Sequence, residues 1–288
     1  MKLSPQILVP RLSARASGYA RDYFTKHLKA AVENVPADCE GVRAALQAPC
    51  FSAQVFFGLY AFARAGAERA RYGRIAASLL KGGRSFTGEA AFMEAFRAAC
   101  KSDEVGVNER LNAGALQQGY RMHFGVGCTK GWLFQLGERM AKTGQVRPAY
   151  LELLAIRGIG PKIAAFVCRD LAWIFGCEQR LPAIERLLLQ PVDTWIRQIA
   201  VLLWPEFAPV EDRGVDFLIA AQIVSATEEL GQSGVAFNQG SWYFGSHGVR
   251  QSRMLETALR ELQDHPTYRA MMHNARRHAT TARRHLLQ

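Results

Sequence analysis

A chain of 288 residues is long enough for two helical lobes around a real core, and its 49% hydrophobic content excludes a disordered protein. Lysine plus arginine outnumber aspartate plus glutamate 36 to 25, and the net charge of +11 favours polyanionic partners, nucleic acid first among them. The six cysteines contain no Cys-x-x-Cys pair, so neither a zinc or iron–sulfur site nor a disulfide framework is implied.

The opening MKLSPQILVPRLSAR is too short of apolar residues for a signal peptide, and no run approaches a membrane span. A cytoplasmic monomer without a membrane partner is expected. Residues 14–34 mix alanine, leucine and charge; 51–81 are rich in alanine, arginine and aromatics; 89–100 and 131–142 are amphipathic. All four predict helices. Glycine breaks fall at 82–83, 125–127 and 231–248, and GVGCTKG at 125–131 lacks the spacing of a phosphate loop. Period-two alternation is scarce, so the fold class is all-α.

The stretch LLAIRGIGPKIAAFV at 153–167 stops one helix and starts another within a few residues. The first helix is expected to end near Arg157, with Gly158-Ile159-Gly160 making the turn, where positive φ costs glycine nothing. Pro161 suits the first helical position, and Ile163, Phe166, Val167, Leu171 and Ile174 recur at helical spacing over 161–175. The result is a helix–hairpin–helix at about 151–175 whose turn offers backbone N–H groups to a phosphate. The insert CEQRLPAIERLLLQ predicts a short helix. Gln190-Pro191-Val192-Asp193 then opens an apolar helix over 194–204 with Asp193 at its N-cap, an N-cap role worth about 1 kcal/mol.

Further helices are expected at 214–230 and 251–263. Between them GQSGVAFNQGSWYFGSHG, 231–248, predicts a mobile loop whose Phe237, Trp242, Tyr243, Phe244 and His247 stack on bases or anchor the loop to the core. The tail carries Arg276, Arg277, Arg283 and Arg284 in two pairs, read as a solvated terminal helix or an arm along phosphates.

GIGPK at 158–162 followed by PVD at 191–193 resembles the helix–hairpin–helix DNA glycosylases. The resemblance implies two helical lobes, 1–50 with 190–288 and 51–189, flanking an active cleft. It implies that Lys162 is the nucleophile and Asp193 the catalytic acid of a bifunctional DNA N-glycosylase and AP lyase. The partner is double-stranded DNA carrying a damaged or modified base. Gly119-Tyr120-Arg121 resembles the Gly-Tyr-Arg run of 8-oxoguanine DNA glycosylases, which makes Tyr120 and Arg121, with Gly158 and Gly160, the implied DNA contacts. Phe166, Gln222 and Trp242 are the implied base-pocket residues. The backbone carbonyls of Leu154, Ile156 and Ile159 fall where family members hold a monovalent cation, so no cofactor is required and a structural Na+ or K+ is implied.

Phe166 stands where eukaryotic-type 8-oxoguanine enzymes have a cysteine, and the spacing from Lys162 to Asp193, 193 − 162 = 31, is longer than in most members. The resemblance implies 8-oxoguanine as the first substrate. A glycosylase for another base, such as a hypermodified phage base, and a non-catalytic hairpin protein are the alternatives. The chemistry needs the base flipped into a pocket and a neutral Lys162 amine, which desolvation in a closed site would supply.

Overall fold

The computed structural model describes residues 2–62, 69–81, 86–107, 109–208, 214–249 and 251–265. The break at 82–83 and the arginine pairs of the tail lie outside these. The described residues contain no strand, and no helix among them is long and apolar enough to cross a membrane. The chain runs α1 (Pro5–Ala14), α2 (Ala16–Asp22), α3 (Lys29–Ala31), α4 (Cys39–Ala45), α5 (Pro49–Val55) and α6 (Arg69–Ser78). It continues with α7 (Glu89–Ser102), α8 (Glu109–Phe124), α9 (Trp132–Thr143), α10 (Arg147–Leu154) and α11 (Pro161–Ile174). Then follow α12 (Ala183–Arg186), α13 (Thr194–Leu203), α14 (Val215–Glu229), α15 (Gly234–Tyr243) and α16 (Leu255–Asp264).

Local chemistry accounts for most of these boundaries. Pro5 and Pro161 stand in the first turn of their helices, where a missing N–H is no loss. Asp38 and Asp193 cap α4 and α13 through the N–H groups of Gly41 at 2.8 Å and Ile196 at 2.9 Å. The insert forms α12 as expected, between two short 3-10 turns.

The helix expected over 14–34 is broken by a π turn at Tyr23–Leu28, and the one over 51–81 by a second at Phe56–Ala61. The loop expected over 231–248 is instead α15 followed by a third π turn, Phe244–Gly248. Its aromatics misled because glycine lowers helix propensity locally, whereas tertiary packing sets the outcome. Gly240 shows the reason for one glycine. A Cβ there would lie 1.8 Å from the Leu12 carbonyl oxygen, so α15 can cross α1 this closely only without a side chain.

Two apolar cores result. The larger packs Leu28, Leu46, Phe56, Phe57, Phe92 and Phe96 with Leu136, Ala164 and Leu171. The smaller joins Leu8 and Leu12 of α1 to Ile199, Ile219, Ile223, Phe237 and Leu259. Residues Tyr19 to Leu46 pack in the larger core, so the apolar clusters divide the chain nearer residue 16 than residue 50. Trp242 packs against both, and the site lies at this seam.

Candidate active site

Between α10 and α11 the chain turns through residues 155–160. Gly158 takes a φ of 99°, the left-handed backbone that its missing Cβ permits. Gly160 is extended at the N-cap of α11. The turn is fastened by Ile159 N–H donating to the Ile156 carbonyl at 3.0 Å and by Arg157 N–H donating to Gln118 Oε1 at 2.6 Å. The first helix stops at Leu154 rather than near Arg157.

From this turn α11 sends a stripe of side chains into a cavity of about 520 Å³. Lys162, Phe166 and Asp170, four residues apart and so on one helical face, run along its wall. Asp193 enters from the N-cap of α13, and Trp242 from the end of α15. Lys162 and Asp193, which the sequence reading pairs, therefore share one cavity from different helices.

Their environments differ from each other. The Asp193 carboxylate accepts the Ile196 N–H and is half-buried, and burial pushes its carboxyl up from the ordinary value. The capping bond and the charges of Lys162 and Arg169 pull it back down, but burial outweighs them. Lys162 itself is exposed. The buried amine anticipated from the sequence is thus corrected: in the free protein Lys162 stands at the open side of the cavity, because it belongs to the first turn of α11 and only later turns of that helix are enclosed.

The cavity floor was not foreseen. Arg169 is wholly buried and Asp170 is 2% exposed, with Arg169 nitrogens donating to Asp170 Oδ1 at 2.8 and 3.0 Å. The Tyr19 and Tyr60 hydroxyls each donate to Asp170 at 3.0 Å, and Arg169 donates to Tyr19 at 2.6 Å and to Asn238 at 2.9 Å. The Arg169 guanidinium also lies 4.4 Å from the Phe166 ring centroid and 4.8 Å from that of Tyr19. A cation held against an aromatic face fixes the ring and is attracted to it. Phe166 is thereby a braced apolar shelf on the cavity wall. Burial pushes the phenols of Tyr19, Tyr23 and Tyr60 up, so all three stay protonated.

Two of the three π turns among the described residues supply further wall residues: Tyr23 and His27 from the first, Gly58, Leu59 and Tyr60 from the second. The third begins just after Trp242. Such turns widen a helix by one residue and recur at functional sites. Asp22 holds the first and third together, accepting from Lys26 at 2.8 Å and lying 3.4 Å from His247 Nε2. The exposed Arg74 reaches the cavity from α6.

Several expected residues lie elsewhere. Tyr120 is 4% exposed, its ring 4.9 Å from that of Phe92, and its hydroxyl donates to the Phe86 carbonyl at 2.8 Å and accepts the Phe86 N–H at 3.1 Å. It is a core residue and not a DNA contact in this conformation. Arg121 is exposed but paired with Glu89 at 2.5 Å, away from the cavity lining. Gln222 is half-buried on α14 and does not line the cavity, since α14 serves the smaller core. Asp170 had a readable signal, an Arg-Asp pair inside an apolar helix at the spacing of Lys162 and Phe166. Tyr19, Tyr23, His27 and Tyr60 had none.

No family model matches the chain, and neither the curated proteins nor the solved structures contain a match to it.

Proposed function

We propose that the protein is a bifunctional DNA N-glycosylase and AP lyase that excises a modified base through a Schiff base on Lys162. One observation carries this reading: an exposed lysine at a glycine turn and a half-buried carboxylate on a separate helix N-terminus line the same cavity. Double-stranded DNA would present its backbone to the turn at Gly158 and Gly160 and to Arg74, while the flipped nucleotide enters the cavity. Phe166 and Trp242 offer apolar faces to the base.

The Lys162 amine would attack the deoxyribose C1′ as the glycosidic bond breaks and its electron pair leaves with the base. Asp193, when ionised, would stabilise the positive charge that develops on the sugar. The DNA itself would close the cavity over Lys162 and exclude water. The Ile156 carbonyl already accepts one hydrogen bond, and a carbonyl has two lone pairs. A monovalent cation shared by Leu154, Ile156 and Ile159 is thus chemically admissible, and no step needs it.

8-Oxoguanine is the first substrate proposed, and a base with a bulky substituent is the second. The cavity of about 520 Å³ lies within the range of roughly 300–1,000 Å³ that accommodates drug-sized ligands.

Borohydride trapping on duplexes bearing 8-oxoguanine, a bulky C5-substituted cytosine, or an abasic site tests the reading. A covalent adduct is expected with the wild type and not with Lys162→Gln, which should still bind DNA. Normal DNA binding with no adduct on any duplex would instead indicate a non-catalytic binding protein.

A further inference from the structure

We propose that Asn238 is a positioning residue that sets the gap across the cavity between Lys162 and Asp193. The inference rests on the glycosylase reading and names what holds its two reacting groups in register.

Those groups belong to different cores. Lys162 stands in the first turn of α11, whose Ile163, Ala164, Val167 and Leu171 pack in the larger core. Asp193 caps α13, whose Ile196, Ile199 and Leu203 pack in the smaller core, with Val192 against it. The gap between lysine and carboxylate is therefore set where the two cores meet. A misplacement of about 1 Å at such a gap is enough to slow a reaction about 100-fold.

Helix α15 lies across that seam. Its Val235 belongs to the larger core and its Phe237 to the smaller. The next residue, Asn238, is wholly buried. Its Oδ1 accepts from Arg169 Nη1 at 2.9 Å, and its Nδ2 donates to the Pro191 carbonyl at 3.3 Å. Arg169 lies two turns along α11 from Lys162, and Pro191 precedes Asp193 by two residues. One amide thus links the helix of the lysine to the turn of the aspartate.

The amide can face only one way. A guanidinium only donates and a carbonyl only accepts, so the oxygen meets Arg169 and the nitrogen meets Pro191. The Arg169 end is itself anchored, donating to Asp170 at 2.8 Å and to the Tyr19 hydroxyl at 2.6 Å. Among the described residues, no other hydrogen bond from a distant element reaches the backbone of 191–193; the Asp193 carbonyl accepts locally from Arg197. Trp242, four residues after Asn238 and so on the same face of α15, lines the cavity as well.

A buried amide that only stabilises the fold would lower folding free energy and leave the rate of each folded molecule unchanged. Single-turnover borohydride trapping separates the two roles. It uses duplexes bearing 8-oxoguanine, a bulky C5-substituted cytosine or an abasic site, and is read on whichever the wild type traps. Asn238→Asp keeps an acceptor for Arg169 but turns an oxygen towards the Pro191 carbonyl, so only that link is broken. Asn238→Ser is too short for either partner and adds no charge, and it carries the test if the aspartate variant does not fold. Each is expected to form the Lys162 adduct about 10- to 100-fold more slowly than wild type, with DNA affinity unchanged.

The deciding measurement is a double-mutant cycle with Asp193→Asn. If Asn238 acts through that carboxylate, either Asn238 substitution should slow the Asp193→Asn protein by less than about twofold further. Wild-type trapping rates in both Asn238 variants overturn the inference. So does a double variant that shows the product of the two separate losses, or an Asp193→Asn protein as fast as wild type, which leaves nothing to position. A wild type that binds DNA but forms no Lys162-dependent adduct on any of the three duplexes overturns the underlying glycosylase reading instead.

Discussion

Arg169 and Asp170, neighbours in α11, meet at 2.8 Å with both side chains almost wholly removed from water. The pair lies beneath Phe166 and between the N-terminal tyrosines and Asn238 of α15, so it joins three distant parts of the chain. Breaking a buried pair by removing one partner strands the other charge, at a cost of about 3–5 kcal/mol. Asp170→Ala is therefore expected to lower the unfolding free energy by about that amount, read from urea denaturation followed by tryptophan fluorescence. A loss below about 1 kcal/mol would mean that Arg169 finds water or another anion.

Asp193 separates capping from chemistry. Asparagine caps a helix about as well as aspartate, and alanine does not. Asp193→Asn should keep its stability while base release slows by about 10²–10³-fold, the scale of losing one preorganised electrostatic group. Asp193→Ala should lose in addition about 1 kcal/mol of stability. Asparagine-variant kinetics equal to wild type would reduce Asp193 to a cap.

Tyr120 offers a direct check on the corrected placement. Tyr120→Phe removes the two hydrogen bonds of its hydroxyl to the Phe86 backbone, an expected cost of about 1 kcal/mol. Tyr120→Ala also opens a void against Phe92 and Phe124, with an expected loss of about 3–5 kcal/mol. Fluorescence anisotropy with duplex DNA should show unchanged affinity for the folded phenylalanine variant. A tenfold loss of affinity without a loss of stability would restore the DNA-contact role.

His123 predicts a pH dependence. It is fully buried among Phe56, Phe57 and Trp132, its Nδ1 lies 2.8 Å from the Gly119 carbonyl oxygen, and burial lowers its pKa to about 4. The unfolded chain binds a proton near pH 6.5 that the folded chain refuses until about pH 4. Stability from this residue is thus fully present above pH 6.5 and lost as pH falls towards 4, by roughly 3 kcal/mol in all. Denaturant titrations across that window should show the slope in wild type and a flatter one in His123→Phe.

Local chemistry made much of this protein readable in its sequence. Helical periodicity, Pro161 in the first turn, glycine at the positive-φ position 158 and the Asp193 cap each depend on residues within one or two turns, and each appears as expected. What depends on distant packing did not show. Gly119-Tyr120-Arg121 gives no sign of which side chain points inward, and α8 turns Tyr120 towards Phe92. The aromatic segment before residue 248 looked like a loop because its glycines weaken helix propensity, whereas Gly240 in fact allows a close helix crossing.

Sequence alone determined an all-α chain with a glycine turn and placed a lysine and an aspartate at two helix starts. Only the tertiary structure decided that both line one cavity, that Lys162 is exposed there, and that Tyr19, His27 and Tyr60 form its other walls. The reason is physical: helix starts are set by bonds between near neighbours, whereas a cavity is the space left where helices far apart in sequence pack.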